Sequence, residues 1–65
     1  MEKKTMKEWR NARGVTQETL AHETNICYSS ILAYDNGYRI PPVDKAIKIA
    51  EVLKVAVEDV KWGEQ

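Results

Sequence analysis

Apolar residues recur along this chain at spacings of three and four, in short runs broken by Gly, Asn and Pro. That pattern predicts five short helices. Met6 and Trp9 share the face of the first. Thr5 precedes them and Glu8 follows three residues later, which is a capping box, and Gly14 stands where the helix must stop. Thr16 caps a second helix over about 17–24, with Leu20, Ala21 and Thr24 on one face. Asn25 follows it and tolerates the left-handed conformation better than most residues. Ile31 and Tyr34 mark a third helix over about 28–36, closed by Asn36-Gly37. Pro41-Pro42 opens a fourth, because proline suits the first helical position. Its expected buried stripe is Val43, Ala46, Ile47, Ala50 and Leu53, with Ile49 at the flank. A fifth helix, over about 57–61, turns Val57 and Val60 inward. These spans hold roughly 40 helical residues. No strand is expected, since the β-branched run 52–57 is short and interrupted.

A chain of 65 residues has room for one domain, here 1–65. It buries roughly 60% of its unfolded surface, so its stability margin is thin. One Cys and one His exclude an internal disulfide and a four-ligand zinc site. With no Gly-rich phosphate loop either, there is no nucleophile–base pair to propose. No enzyme, no cofactor and no metal are therefore expected. No run is apolar enough to cross a bilayer, and no apolar stretch follows the basic residues of the N-terminus. The expected location is the cytoplasm, which agrees with a single thiol. The net charge is zero, but it is unevenly spread. Residues 1–13 carry a net +3 and residues 14–37 a net −3, so any positive surface must flank the central segment.

The offsets from Gln17 to Asn36 give this pattern its meaning. Ala21 is small where two helices cross, Asn25 sits at the turn, Ile26 plugs it, and Ile31 and Tyr34 anchor the next helix. Together these describe a DNA-binding helix-turn-helix unit over about 17–36. The residues Val15-Thr16-Gln17-Glu18-Thr19-Leu20-Ala21, Ile31, Asp35-Asn36-Gly37, Pro41, Ile49-Ala50 and Leu53 extend the likeness over about 6–61. In these the chain resembles the phage repressor/Cro type, or XRE family, of helix-turn-helix domains. The resemblance implies an all-α, compact five-helix bundle, the lambda-repressor-like fold. It departs from the family pattern at Asn25 (usually Gly), Cys27 (usually Ser or Thr), Asp35 (usually Glu), Lys54 (usually Gly) and Ala56 (usually a polar cap).

At about 100° per residue, Ile31, Tyr34 and Asp35 face the body and Ser29, Leu32, Ala33 and Asn36 face away. Tyr28, Ser29, Leu32 and Ala33 are the candidate base contacts, because the start of a recognition helix goes deepest into the major groove. Leu32 and Ala33 can offer only apolar contact, which suits a thymine methyl. Tyr28 can donate to a base or a phosphate, and Ser29 discriminates weakly. The candidate backbone contacts are Gln17, Ser30, Asn36, Tyr38 and Arg39. The family pattern implies that Gln17 bonds a phosphate at the start of the second helix. It also implies that Arg10 and Asp35 form a structural ion pair. Lys3, Lys4 and Lys45 are as readily solvated as bound to phosphate. His22 is expected in solvent, and Cys27 is expected simply to fill a cap site.

The function expected from these residues is sequence-specific binding of double-stranded DNA as a transcriptional regulator, with a repressor as the expected sign. A homodimer on a palindromic operator is expected, joined through 57–62. The competing reading is a protein-interaction module with the same fold, which the cation-free centre and the apolar Leu32 and Ala33 favour.

Overall fold

The computed structural model describes residues 3–63. Among the described residues four α-helices form: α1 (Met6–Arg13), α2 (Gln17–Thr24), α3 (Tyr28–Asp35) and α4 (Val43–Leu53). A 3₁₀ turn, Val57–Asp59, follows them. Two short strands, β1 (Lys4–Thr5) and β2 (Val60–Lys61), pair at the two ends of the described chain.

The helix boundaries follow from local chemistry. The Thr5 hydroxyl accepts from Glu8 N at 3.2 Å, and the Glu8 carboxylate accepts from Thr5 N at 2.9 Å. This reciprocal box satisfies two amides that would otherwise lack partners at the start of α1. Gly14, at φ 69°, turns the chain out of the helix. The Thr16 hydroxyl caps α2 by accepting from Thr19 N at 3.1 Å, and Asn25 closes α2 at φ 57°.

The expected bundle of five helices is corrected to four, and the expectation of no strand is corrected as well. After the 3₁₀ turn, Val60–Lys61 extends and pairs in parallel with β1, Lys4 opposite Val60 and Thr5 opposite Lys61. Two residues are too few to show a period, so the pairing leaves no mark on the sequence pattern. It is held by tertiary contacts instead. Trp9 Nε1 donates to the Asp59 carbonyl at 2.9 Å, and Trp62 Nε1 donates to the Val57 carbonyl at 3.2 Å.

A second correction concerns α4. Ala46, Ile49, Ala50 and Leu53 are buried, whereas Val43 and Ile47 are 75% and 43% exposed. Both arcs satisfy helical spacing. Packing against α1 and α2 selects the one centred on Ala46 and Leu53, which takes Ile49 in and leaves Val43 and Ile47 on the rim.

The core joins Met6, Trp9, Leu20, Ile26, Ile31, Tyr34, Ile49, Leu53 and Val60. Every helix therefore contributes, and Ile26 seals the turn between α2 and α3. Lys4 and Arg13 each lie 5.1 Å from the centre of the Trp9 ring. Arg13 also donates from Nε to the Leu53 carbonyl at 2.9 Å, which satisfies an end carbonyl of α4.

Candidate nucleic-acid interface

The helix proposed to read DNA is α3. Its inner side is locked: Ile31, Tyr34 and Asp35 are all buried. Its outer side begins with Tyr28 and Ser29, both exposed, and continues through Ser30, Leu32 and Ala33, all half-buried. Leu32 is thus not a free-standing apolar knob, and any contact it makes must come from its outer edge. After the helix, Asn36 is half-buried while Tyr38 and Arg39 are exposed.

A chain of polar contacts runs from the body to the start of α3. Asp35 is 0% exposed. Arg10 grips both its oxygens, Nε to Oδ1 at 3.0 Å and Nη2 to Oδ2 at 3.2 Å. Arg10 Nη1 donates to the Val15 carbonyl at 3.0 Å. Gln17 Nε2 donates to Asp35 Oδ2 at 2.9 Å, and the Tyr28 hydroxyl donates to Gln17 Oε1 at 3.4 Å. A bidentate guanidinium–carboxylate pair fixes direction as well as distance. Here it ties α1 to the end of α3, and Gln17 ties the start of α2 to both ends of α3.

The link from Gln17 to Tyr28 was invisible to sequence reasoning. It joins residues on two helices across a turn, and no periodicity encodes it. Lys7 also reaches this surface, a contact between residues 29 apart that the sequence pattern does not mark. Its Nζ donates to Asn36 Oδ1 at 3.0 Å, next to the end of α3.

These contacts change the electrostatic picture drawn from the N-terminal cations. Lys4 and Arg13 lie over Trp9, Arg10 is paired with Asp35, and Lys7 bonds Asn36. Much of the basic flank therefore serves the fold. At the start of α2, the first-turn amides and the positive end of the helix dipole still offer anion-binding donors. Gln17 Nε2 also carries a second N–H beyond the one given to Asp35.

Cys27 is exposed at the start of α3 and makes no capping hydrogen bond. The Ser29 hydroxyl, 3.1 Å from its sulfur, holds the thiol below its ordinary pKa, helped by the nearby amides of Ser29 and Ser30. Among the described residues, no group of three His, Cys, Asp or Glu side chains is placed to hold a metal ion. No helix among them is long and apolar enough to cross a membrane.

A family profile described as helix-turn-helix matches residues 6–60. The chain is 30% identical over 63 residues to the uncharacterized HTH-type transcriptional regulator YgzD of Bacillus subtilis (strain 168), covering 97% of this chain and 96% of that one. No solved structure gives a significant match. With the α2–turn–α3 unit in place and the match spanning all four helices, the chain belongs to the XRE-type helix-turn-helix family.

Proposed function

We propose that this chain binds double-stranded DNA sequence-specifically and regulates transcription, most simply as a repressor, with α3 in the major groove. The observation that carries this reading is the division of α3. One side is clamped to the body through Arg10, Asp35 and Gln17, while Tyr28 and Ser29 stand exposed at the end that enters a groove deepest. Tyr28, Ser29, Leu32 and Ala33 are the base contacts in this reading, with a thymine methyl opposite Leu32 and Ala33. Gln17, Ser30, Asn36, Tyr38 and Arg39 contact the backbone. The relative YgzD carries the name of a transcriptional regulator, which supports the same reading.

Neutral donors outnumber free cations on this surface, so binding should depend only shallowly on salt. Each neutralised phosphate adds roughly 0.9 to the slope of log K against log salt. A slope corresponding to about three phosphates or fewer is expected from gel shifts between low and moderate salt. A slope implying about eight would mean that the cations are not committed to the fold as described.

One recognition helix with this chemistry binds weakly alone. A two-fold dimer on half-sites about 34 Å apart is the proposed active form. The surface first expected to join the two copies, 57–62, is largely engaged within the chain: Val60 is buried and Lys61 pairs with Thr5. Three exposed aliphatic side chains, Ile40, Val43 and Ile47, lie just before α4 and along it. Ile40 Cγ1 is 2.9 Å from where a Cβ on Gly63 would stand, so Ile40 packs against the end of the described chain.

The zero net charge and the inward commitment of the cations favour a second reading, a protein-interaction module on the same fold. Absence of any shift with bulk duplex DNA at low salt would select it.

A further inference from the structure

The polar chain at the start of α3 has a direction, and the direction is set from its buried end. Asp35 is held on both oxygens by the Arg10 guanidinium, and a carboxylate in such a pair offers acceptors only. Gln17 meets Asp35 Oδ2 at 2.9 Å, so it must present its NH₂ group there. The flipped amide would set two acceptors against each other beside a fully buried carboxylate. With Nε2 committed inward, Oε1 faces outward, where the Tyr28 oxygen lies at 3.4 Å. Oε1 carries no proton, so the hydrogen between these two atoms is the tyrosine's. A phenol has one proton. Once it points at Gln17, the Tyr28 oxygen has only lone pairs left for the groove.

We infer that Asp35, acting through Gln17, fixes the hydrogen-bond polarity of Tyr28 and makes it a reader of exocyclic amino groups. This rests on the DNA-binding reading above and narrows it. In the major groove the donors are adenine N6 and cytosine N4, while guanine N7 and O6 and thymine O4 only accept. Tyr28 therefore selects A or C on the strand it faces and disfavours G or T. A tyrosine read from residue type alone could donate or accept. Gln17 is the positioning residue that removes the choice.

The test is binding-site selection from a random duplex pool, run with the full chain and with Tyr28→Phe and Gln17→Leu. Tyr28 is exposed, and removing its hydroxyl leaves the core intact, so Tyr28→Phe is decisive even if Gln17→Leu melts early. The full chain should enrich A or C at one position of each half-site, and Tyr28→Phe should flatten that position alone. Replacing the selected base by an analogue without its exocyclic amino group should weaken the full chain about five-fold and leave Tyr28→Phe unchanged. Gln17→Leu frees the hydroxyl proton and should admit G or T at the same position.

The inference is overturned if the position that Tyr28→Phe flattens carries G or T, if no position responds to Tyr28→Phe, or if a folded Gln17→Leu keeps the original preference. Each of these leaves sequence-specific binding by the full chain standing. Enrichment of no sequence by the full chain would instead remove the DNA-binding reading itself, and this inference with it.

Discussion

Cys27 fills a helix cap position with a side chain poorly suited to capping. It stands at the N-cap of α3 and makes no geometric capping bond, so the first-turn amides meet a sulfur, a weaker acceptor than the oxygen that Ser or Thr would give. Cys27→Ser should raise stability by about 1 kcal/mol, read as a higher midpoint in urea. An unchanged midpoint would show that the amides already have adequate partners. Because the Ser29 hydroxyl and the adjacent amides lower the thiol's pKa from the ordinary 9.0, alkylation should reach half its maximal rate below that pH. Arg10 is the opposite case, a residue the fold needs. Asp35 has no exposure, so Arg10→Ala leaves a buried carboxylate with Gln17 alone. The cost should be about 3 kcal/mol or more, a large part of the stability of so small a chain. Circular dichroism melting checks this, and an undiminished midpoint would mean that the pair is not structural.

At the scale of elements, what was legible in the sequence was what is local. Thr5, Glu8, Gly14, Thr16 and Asn25 mark the ends of α1 and α2 through bonds and dihedrals that span five residues or fewer. The α1 box also makes a pH prediction. The Thr5 amide, then its hydroxyl, hold Glu8 below its ordinary value of 4.5. A carboxylate lowered in the folded state stabilises fully above the unfolded value, and the contribution fades as pH falls through the folded one. Stability should therefore fall below pH 4.5 less steeply in Glu8→Gln than in the native chain, as followed by urea midpoints across the acid range. What was not legible depends on partners distant in sequence. The periodicity of α4 fitted two arcs, and only the positions of α1 and α2 decide between Ile47 and Ile49. The β1–β2 pair joins residues more than fifty apart with two residues on each side. The outward side of α3 was readable from its anchors, Ile31 and Tyr34. The Gln17–Tyr28 link that gives that side its polarity was not.

Over the whole molecule, charge and apolar surface are distributed by the demands of folding before those of binding. The cations Lys4, Lys7, Arg10 and Arg13 have partners within the chain, and the Arg10 charge is matched by buried Asp35. The exposed aliphatic side chains Ile40, Val43 and Ile47 lie on the rim formed by α4 and the residues just before it. If that rim joins two copies, Val43→Glu should shift the chain to monomer in sedimentation equilibrium while leaving its melting midpoint nearly unchanged, since Val43 is outside the core. Operator affinity should then fall without loss of base preference. A variant that stays dimeric would move the joint elsewhere.

In the proposed complex the outer side of α3 lies against base pairs. Titration of the labelled chain with a selected duplex, followed by backbone amide resonances, tests it most directly. The signals of Gln17, Tyr28, Ser29 and Ala33 should move together and saturate, while those of the core helix α4 around Ile49 stay in place. Saturable shifts confined to the rim at Ile40, Val43 and Ile47, with Tyr28 and Ser29 unmoved, would contradict it.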